Sequence, residues 1–151
     1  MALIFFDSSA LVRRYDRAEP GARRVRTLCR RSSGHNLAIA SITPVELASA
    51  FNRKYREGIF TQAELTHVWS LFRGHRRQRY QVISLDVQTY ERAERLLFAH
   101  RLRAYDAVQL AAVLGLARML AGFSPNVQFC TADRDQAEAA RREGLAVELI
   151  T

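Results

Sequence analysis

Four of the fifteen acidic residues in this 151-residue chain stand apart because their sequence neighbours are apolar. Asp7 closes the run Leu3-Ile4-Phe5-Phe6. Glu46 precedes Leu47 and Ala48, Asp106 sits within Ala104-Tyr105-Asp106-Ala107-Val108, and Asp133 follows Gln128-Phe129-Cys130-Thr131. A carboxylate in such surroundings is costly unless a cation or several hydrogen-bond donors compensate it. Singly, each acid has an ordinary reading: Asp7 and Asp133 (or Asp135) as helix N-caps, Glu46 as the third residue of a capping box, Asp106 as a first-turn acid facing the helix dipole. Gathered at one place, the four would repel one another strongly without a cation. An all-oxygen ligand set selects a hard ion, Mg²⁺ or Mn²⁺, and the absence of a paired His or Cys argues against zinc. Such an ion lowers the pKa of a bound water and clamps the oxygens of a phosphate undergoing in-line displacement.

The remaining charge suits a phosphate substrate. Lys+Arg 23 against Asp+Glu 15 gives +8, and the positive charge is 22 arginines and one lysine, Lys54. Arginine offers a planar fork that grips phosphate oxygens bidentately. Its clusters at Arg13, Arg14 and Arg17, at Arg23 to Arg31, and at Arg73 to Arg79 point to a polyanionic partner, nucleic acid first. The plainer alternative is arginine decorating solvated helix faces. A basic surface around an acidic metal pocket is what a phosphodiesterase requires.

Other chemistries find less support. His35, His67, His75 and His100 are scattered and pair with no Ser or Cys in a nucleophile signature, so they read as surface or packing residues. The seven glycines are isolated and form no phosphate-cradling loop. Cys29 and Cys130 fit no metal spacing and read as two reduced, buried thiols. With 48% hydrophobic residues the chain reads as one globular domain over residues 1–151. Leu3 to Phe6 meets Asp7 far short of the ~7 to 15 apolar residues of a signal core, and no run approaches the ~18 of a membrane span. The expectation is a cytoplasmic protein with no membrane partner.

The elements that must position the acids alternate. Ala2 to Phe6, Asn36 to Ala40, Gln81 to Leu85, Val127 to Thr131 and Val147 to Ile150 read as buried strands. Between them, helical periodicity predicts helices from Ser8 to Tyr15, from the capping pattern Thr43-Pro44-Val45-Glu46 to Gly58, from Thr61 through the stripe Leu65, Val68, Trp69 and Phe72, from Val87 to His100, from Ala104 to Ala121, and from Asp135 to Glu143. This order predicts an α/β fold, a three-layer sandwich whose mostly parallel central sheet is covered by helices on both faces, with a protruding helical hairpin. In an open parallel sheet, strand ends and helix starts face one rim, where a topological switch opens a crevice. That rim would collect all four acids. Leu11, Val12, Val25 and Leu28, with Phe51, Tyr55, Phe60, Trp69 and Phe72, are more large apolar side chains than one small sheet face needs, so some are expected to line a groove for a partner helix; the alternative is that all are core.

The segments Phe5-Phe6-Asp7-Ser8-Ser9-Ala10-Leu11, Ser41 to Ala50 around Glu46, Leu102 to Ala111 around Tyr105-Asp106-Ala107, and Thr131-Ala132-Asp133-Arg134-Asp135 resemble, in order and spacing, the four motifs of PIN-domain ribonucleases, most closely the VapC toxins of type II toxin–antitoxin systems. The resemblance implies that Asp7, Glu46, Asp106 and Asp133 form the catalytic metal pocket. It also implies that the Ser9 and Thr131 hydroxyls lie near it, with Asp135 as an auxiliary acid. It implies further an endoribonuclease dependent on Mg²⁺ or Mn²⁺, a homodimer, and a cognate VapB-type antitoxin whose tail lies across the pocket. Several members cut tRNA or ribosomal RNA. Arg13, Arg14 and Arg103 flank the motif segments and are the candidates for RNA contact; Gln62 to Tyr80 matches no motif. A catalytically silent RNA-binding module or a housekeeping PIN nuclease is the alternative, though a silent module should lack a pocket acid and all four are present. A phosphoacceptor receiver domain would need a lysine near the pocket, and Lys54 lies at the far end of its helix.

Overall fold

Strands that are apolar on both faces need helices on both sides. The computed structural model describes residues 1–123 and 126–151 and supplies that cover. The chain runs β1 (Leu3–Phe6), α1 (Ser8–Tyr15), α2 (Ala22–Leu28), β2 (Asn36–Ala40), α3 (Thr43–Arg56), α4 (Gln62–Gln78), β3 (Tyr80–Ile83), α5 (Val87–Ala99), α6 (Ala104–Met119), β4 (Val127–Thr131), α7 (Arg134–Arg142) and β5 (Ala146–Leu149), with a 3-10 turn at Arg31–Ser33. The strands form one sheet in the order β3-β2-β1-β4-β5, and every pairing is parallel. The chain moves outward from β1 through β2 to β3, then returns to the other side of β1 with β4. The topological switch therefore falls between β1 and β4.

Side chains alternate across the strands and build two cores. On one face Ile4, Phe6, Leu37, Ile39 and Cys130 pack against α1 to α4; on the other Leu3, Phe5, Ala38, Ala40 and Phe129 pack against α5, α6 and α7. Helix α6 carries a continuous buried run from Ala107 to Val113, because it is enclosed between the sheet and its neighbours.

Two expectations change. The apolar side chains of the first helices and the hairpin are mostly core: Leu11, Val25, Leu28, Phe51, Phe60 and Phe72 are all buried, and Tyr15, Phe51, Trp69 and Phe72 meet edge-on or tilted with centroids 5.4 to 6.5 Å apart. The sheet face is wide enough for four helices, and four helices need that many side chains to cover it. What remains open between α3 and α4 is a groove of about 530 Å³ lined by Phe51, Leu65 and Trp69, with Arg73 and Arg77 along it. Second, Thr43 does not cap its helix. The cap position is Ile42, without a side-chain hydrogen bond, and Thr43 is fully buried within the first turn. By contrast Thr61 and Glu64 do form the expected capping box at the start of α4. Helix α7 starts at Arg134 with Asp133 as its cap, so Asp135 lies inside the first turn. Among the described residues no helix is long and apolar enough to cross a membrane.

Candidate active site

Asp7 follows β1 and is only 2% exposed. The parallel register sets Phe6 beside Cys130, so the Asp7 N–H donates to the Cys130 carbonyl (3.1 Å) and the carboxylate sits beside Thr131 at the end of β4. Its Oδ1 accepts the Ala10 N–H at 2.9 Å, the helix cap, and the Ser9 hydroxyl at 2.8 Å; its Oδ2 accepts the Thr131 hydroxyl at 2.6 Å. Ser9 Oγ in turn accepts the Ala132 N–H at 2.9 Å, and Thr131 Oγ1 accepts the Asp133 N–H at 3.1 Å. The first and fourth motif segments are thus laced together by two hydroxyls, and Asp7 is fixed by capping as well as aimed into the crevice. Burial pushes its carboxyl up to about 7 from 3.8 against the pull of those donors, and the charge of Asp106 adds to the rise.

Glu46 comes from the first turn of α3, but no capping box holds it. Its Oε1 accepts the Ser8 hydroxyl at 2.8 Å and the Gln109 amide Nε2 at 2.7 Å. The same amide donates to the buried Thr43 hydroxyl at 2.9 Å, which explains why that hydroxyl is unavailable as a cap. Gln109 lies on the buried run of α6, one turn after Asp106. A single side chain therefore ties the second and third motif segments together.

Asp106, in the first turn of α6, is half-buried. Burial raises its pKa, the charges of Asp133 and Glu46 raise it further, and the Arg103 N–H and guanidinium pull it down. Asp133 caps α7 through the Gln136 N–H at 2.9 Å. The buried Gln136 amide Nε2 reaches back to the Asp106 carbonyl at 3.1 Å and fixes α7 against α6. All four acids belong to the rim at the carboxyl ends of the strands, beside the switch point, and charge couples Asp106 to Asp7, Asp133 and Glu46. Among the described residues they have not closed on a common point, since no three His, Cys, Asp or Glu side chains surround one position. The donor set is oxygen only, the charge of Asp106 raises Asp7, those of Asp133 and Glu46 raise Asp106, and Arg103 is the cation that pulls Asp106 down. That chemistry fits a hard divalent ion held by Asp7, Glu46, Asp106 and Asp133.

The other sequence candidates are placed unequally. Ser9 and Thr131 are in the crevice. Asp135 is exposed and faces Arg101 at 3.9 Å. Arg103 is beside Asp106. Arg13 donates to the Pro20 carbonyl. Arg14 is at the opposite end of α1 from Asp7, bonded to the Tyr80 hydroxyl at 2.6 Å. The free thiols Cys29 and Cys130 are buried, as expected.

Sequence reasoning missed Ser8 and Gln109, which hold Glu46. A polar Gln109 in the otherwise apolar run Ala107 to Val113 was the available signal. It also missed the role of Lys54, which is buried and donates to Asp16 at 2.7 Å and Glu19 at 2.6 Å.

The sequence profile of the PIN domain matches residues 4–142. No curated protein matches the chain. Among solved structures it is similar to VapBC2 from Rickettsia felis bound to a DNA fragment from its promoter (TM-score 0.64, 12% identity, 99% of each chain covered). It is also similar to VapC20 of Mycobacterium tuberculosis, a sarcin-ricin-loop-cleaving toxin (0.61, 15%, 90% of this chain and 94% of that one). VapBC-1 from nontypeable Haemophilus influenzae gives 0.58 at 14% identity over 97% of each chain. At these identities the likeness is one of fold.

Proposed function

Because the chain belongs to the PIN domain family, we propose that it is an endoribonuclease that needs Mg²⁺ or Mn²⁺ and serves as the toxin of a toxin–antitoxin pair. The observation that carries this reading is the gathering of four carboxylates at one rim, from the end of β1, α3, α6 and the start of α7, two of them tied in place by dedicated polar side chains, with no basic side chain among the described residues paired with the buried Asp7. When bound, a divalent ion supplies a water of lowered pKa and a clamp on phosphate oxygens. Asp7, Glu46, Asp106 and Asp133 would hold it. Ser9 and Thr131 keep both Asp7 oxygens oriented, Gln109 and Ser8 keep Glu46 oriented, and Arg103 stands where an incoming phosphate needs a cation.

Relatives in complex with antitoxins support a protein partner. The groove between α3 and α4, apolar at Leu65 and Trp69 and polar at Asn52, Thr66 and Ser70, suits an amphipathic antitoxin helix, with Arg73 and Arg77 meeting its acids. A homodimer belongs to the same reading. Val87, Tyr90, Leu97 and Phe98, the last 95% exposed, share one stripe of α5 that the described residues leave open to solvent at least in part.

The test is to incubate purified protein with total RNA, with and without Mn²⁺, and to map the ends. Metal-dependent cuts at defined sites are expected from the wild type and none from Asp106→Asn. RNA binding without cleavage would favour the silent module. Cleavage by a chain whose expression is harmless and which captures no antitoxin would favour a housekeeping nuclease.

A further inference from the structure

The far end of α1 holds a second charged site, and its sign is opposite to that of the crevice. A cavity of about 350 Å³ opens between the C-terminal end of α1, α2 and α4, and its lining includes Arg14, Arg17, Arg26, Arg30, His67 and His75 but no carboxylate. None of these four arginines makes an ion pair among the described residues, whereas Arg24, Arg101 and Arg142 elsewhere do. The two acids nearest in sequence, Asp16 and Glu19, are both taken by Lys54. The only lysine of the chain thus occupies the carboxylates that could have neutralised the cavity.

Arg14 is held ready. Its guanidinium lies 5.7 and 5.6 Å from the ring centroids of Tyr15 and Tyr80 and donates to the Tyr80 hydroxyl and to His75 Nε2 (3.2 Å). Because arginine only donates, His75 accepts at Nε2 and its Nδ1–H donates to the Tyr15 hydroxyl at 2.9 Å, which leaves Tyr15 to donate to Tyr80 at 2.8 Å. The half-buried imidazole is therefore neutral, and positive charge at the wall comes from the arginine forks.

We propose that this cavity is a second RNA contact, seating a backbone phosphate and its sugar from the strand whose scissile bond lies at the acids. It rests on the reading of the chain as a ribonuclease. Four arginines without a carboxylate partner around one cavity repel one another until an anion joins them. A carboxylate side chain would fill a small part of 350 Å³, whereas a nucleotide's phosphate and ribose suit a cavity of this size. Helix α1, of eight residues, spans about 12 Å, so the two sites lie within reach of one short strand.

The test uses full-length Asp7→Asn protein in EDTA with a labelled single-stranded RNA. Arg17→Gln/Arg26→Gln/Arg30→Gln should weaken binding at least tenfold and reduce the slope of log K against log salt by about 0.7, the contribution of the one phosphate that the cavity seats. Arg95→Gln/Arg118→Gln/Arg141→Gln, of the same net charge on the other side of the molecule, should change affinity less than twofold. In the cleaving protein the first triple variant should raise KM. Equal losses in the two triple variants would reduce the effect to net charge and overturn the proposal. So would unchanged RNA affinity combined with lost binding of an acidic antitoxin, because the cavity would then serve the protein partner. Selective loss of RNA binding in a wild-type chain that cuts nothing with Mn²⁺ would sustain the cavity while sinking the nuclease reading.

Discussion

The amide nitrogen of Gln109 lies 2.7 Å from Oε1 of Glu46, a contact between residues 63 positions apart that joins two helices at the crevice. The carboxylate is turned towards α6 and makes no bond back to the start of its own helix, so its direction is set by α6. Gln109→Leu should free Glu46 and leave Thr43 without its donor. The metal concentration giving half-maximal cleavage should rise ten- to a hundredfold, the usual effect of losing a group that orients a ligand. Ser8→Ala, which removes the weaker of the two grips, should do less. Unchanged metal dependence in Gln109→Leu would show that Glu46 is not a ligand.

Asp7→Asn should abolish cleavage and stabilise the metal-free protein. The folded-state pKa near 7 lies above the ordinary 3.8, so the folded chain holds a proton that the unfolded chain has released. Wild-type stability from this group therefore falls as pH rises from about 4 to 7. The shift corresponds to at most about 4 kcal/mol, of which the amide facing the Thr131 hydroxyl takes back roughly 1 to 3. Melting temperatures of the two proteins in EDTA should cross, with Asp7→Asn melting lower near pH 4 and higher towards pH 7, and Mg²⁺ should raise the wild type alone.

His75 should act in the reverse sense. Burial, then the charges of Arg14 and Arg79, push it down to about 4 from 6.5. The unfolded chain gains a proton that the folded chain refuses, so stability from this site is present above pH 6.5 and is lost as pH falls towards 4. Denaturant midpoints of wild type and His75→Gln, measured across that window, should converge as the pH drops; parallel curves would mean that the imidazole titrates normally.

Lys54→Met should destabilise the fold by about 3 to 5 kcal/mol, because it leaves Asp16 buried without its cation. Adding Asp16→Leu should restore much of the loss. A thermal melt of the single and double variants measures both. If the cavity beyond Arg14 depends on Lys54 to occupy its acids, Lys54→Met should also weaken RNA binding.

The sequence alone determined the α/β alternation, the mostly parallel sheet and the candidacy of the four acids, while helix α2 (Ala22–Leu28) was not read from it. Strand runs and helix stripes are local patterns, and an acid at the end of Leu3 to Phe6 or Gln128 to Thr131 is visible without any contact map. Strand order, β3-β2-β1-β4-β5, came with the structure, because strand patterns do not say on which side of β1 the chain returns. Tertiary structure decided which side chains serve those acids. Ser8 and Glu46 are 38 positions apart, Thr131 and Asp7 are 124 apart, and no local propensity tells Thr43 to meet Gln109 in place of capping its own helix. It also decided which charges face each other. Arg13, Arg14 and Arg17 are one cluster in sequence, yet a helix turns successive residues about 100° apart and carries Arg14 to the end opposite Asp7. The hairpin aromatics became core for a similar reason: whether an apolar stripe lines a groove or fills an interior depends on how many helices share the sheet face, which only the packed structure contains.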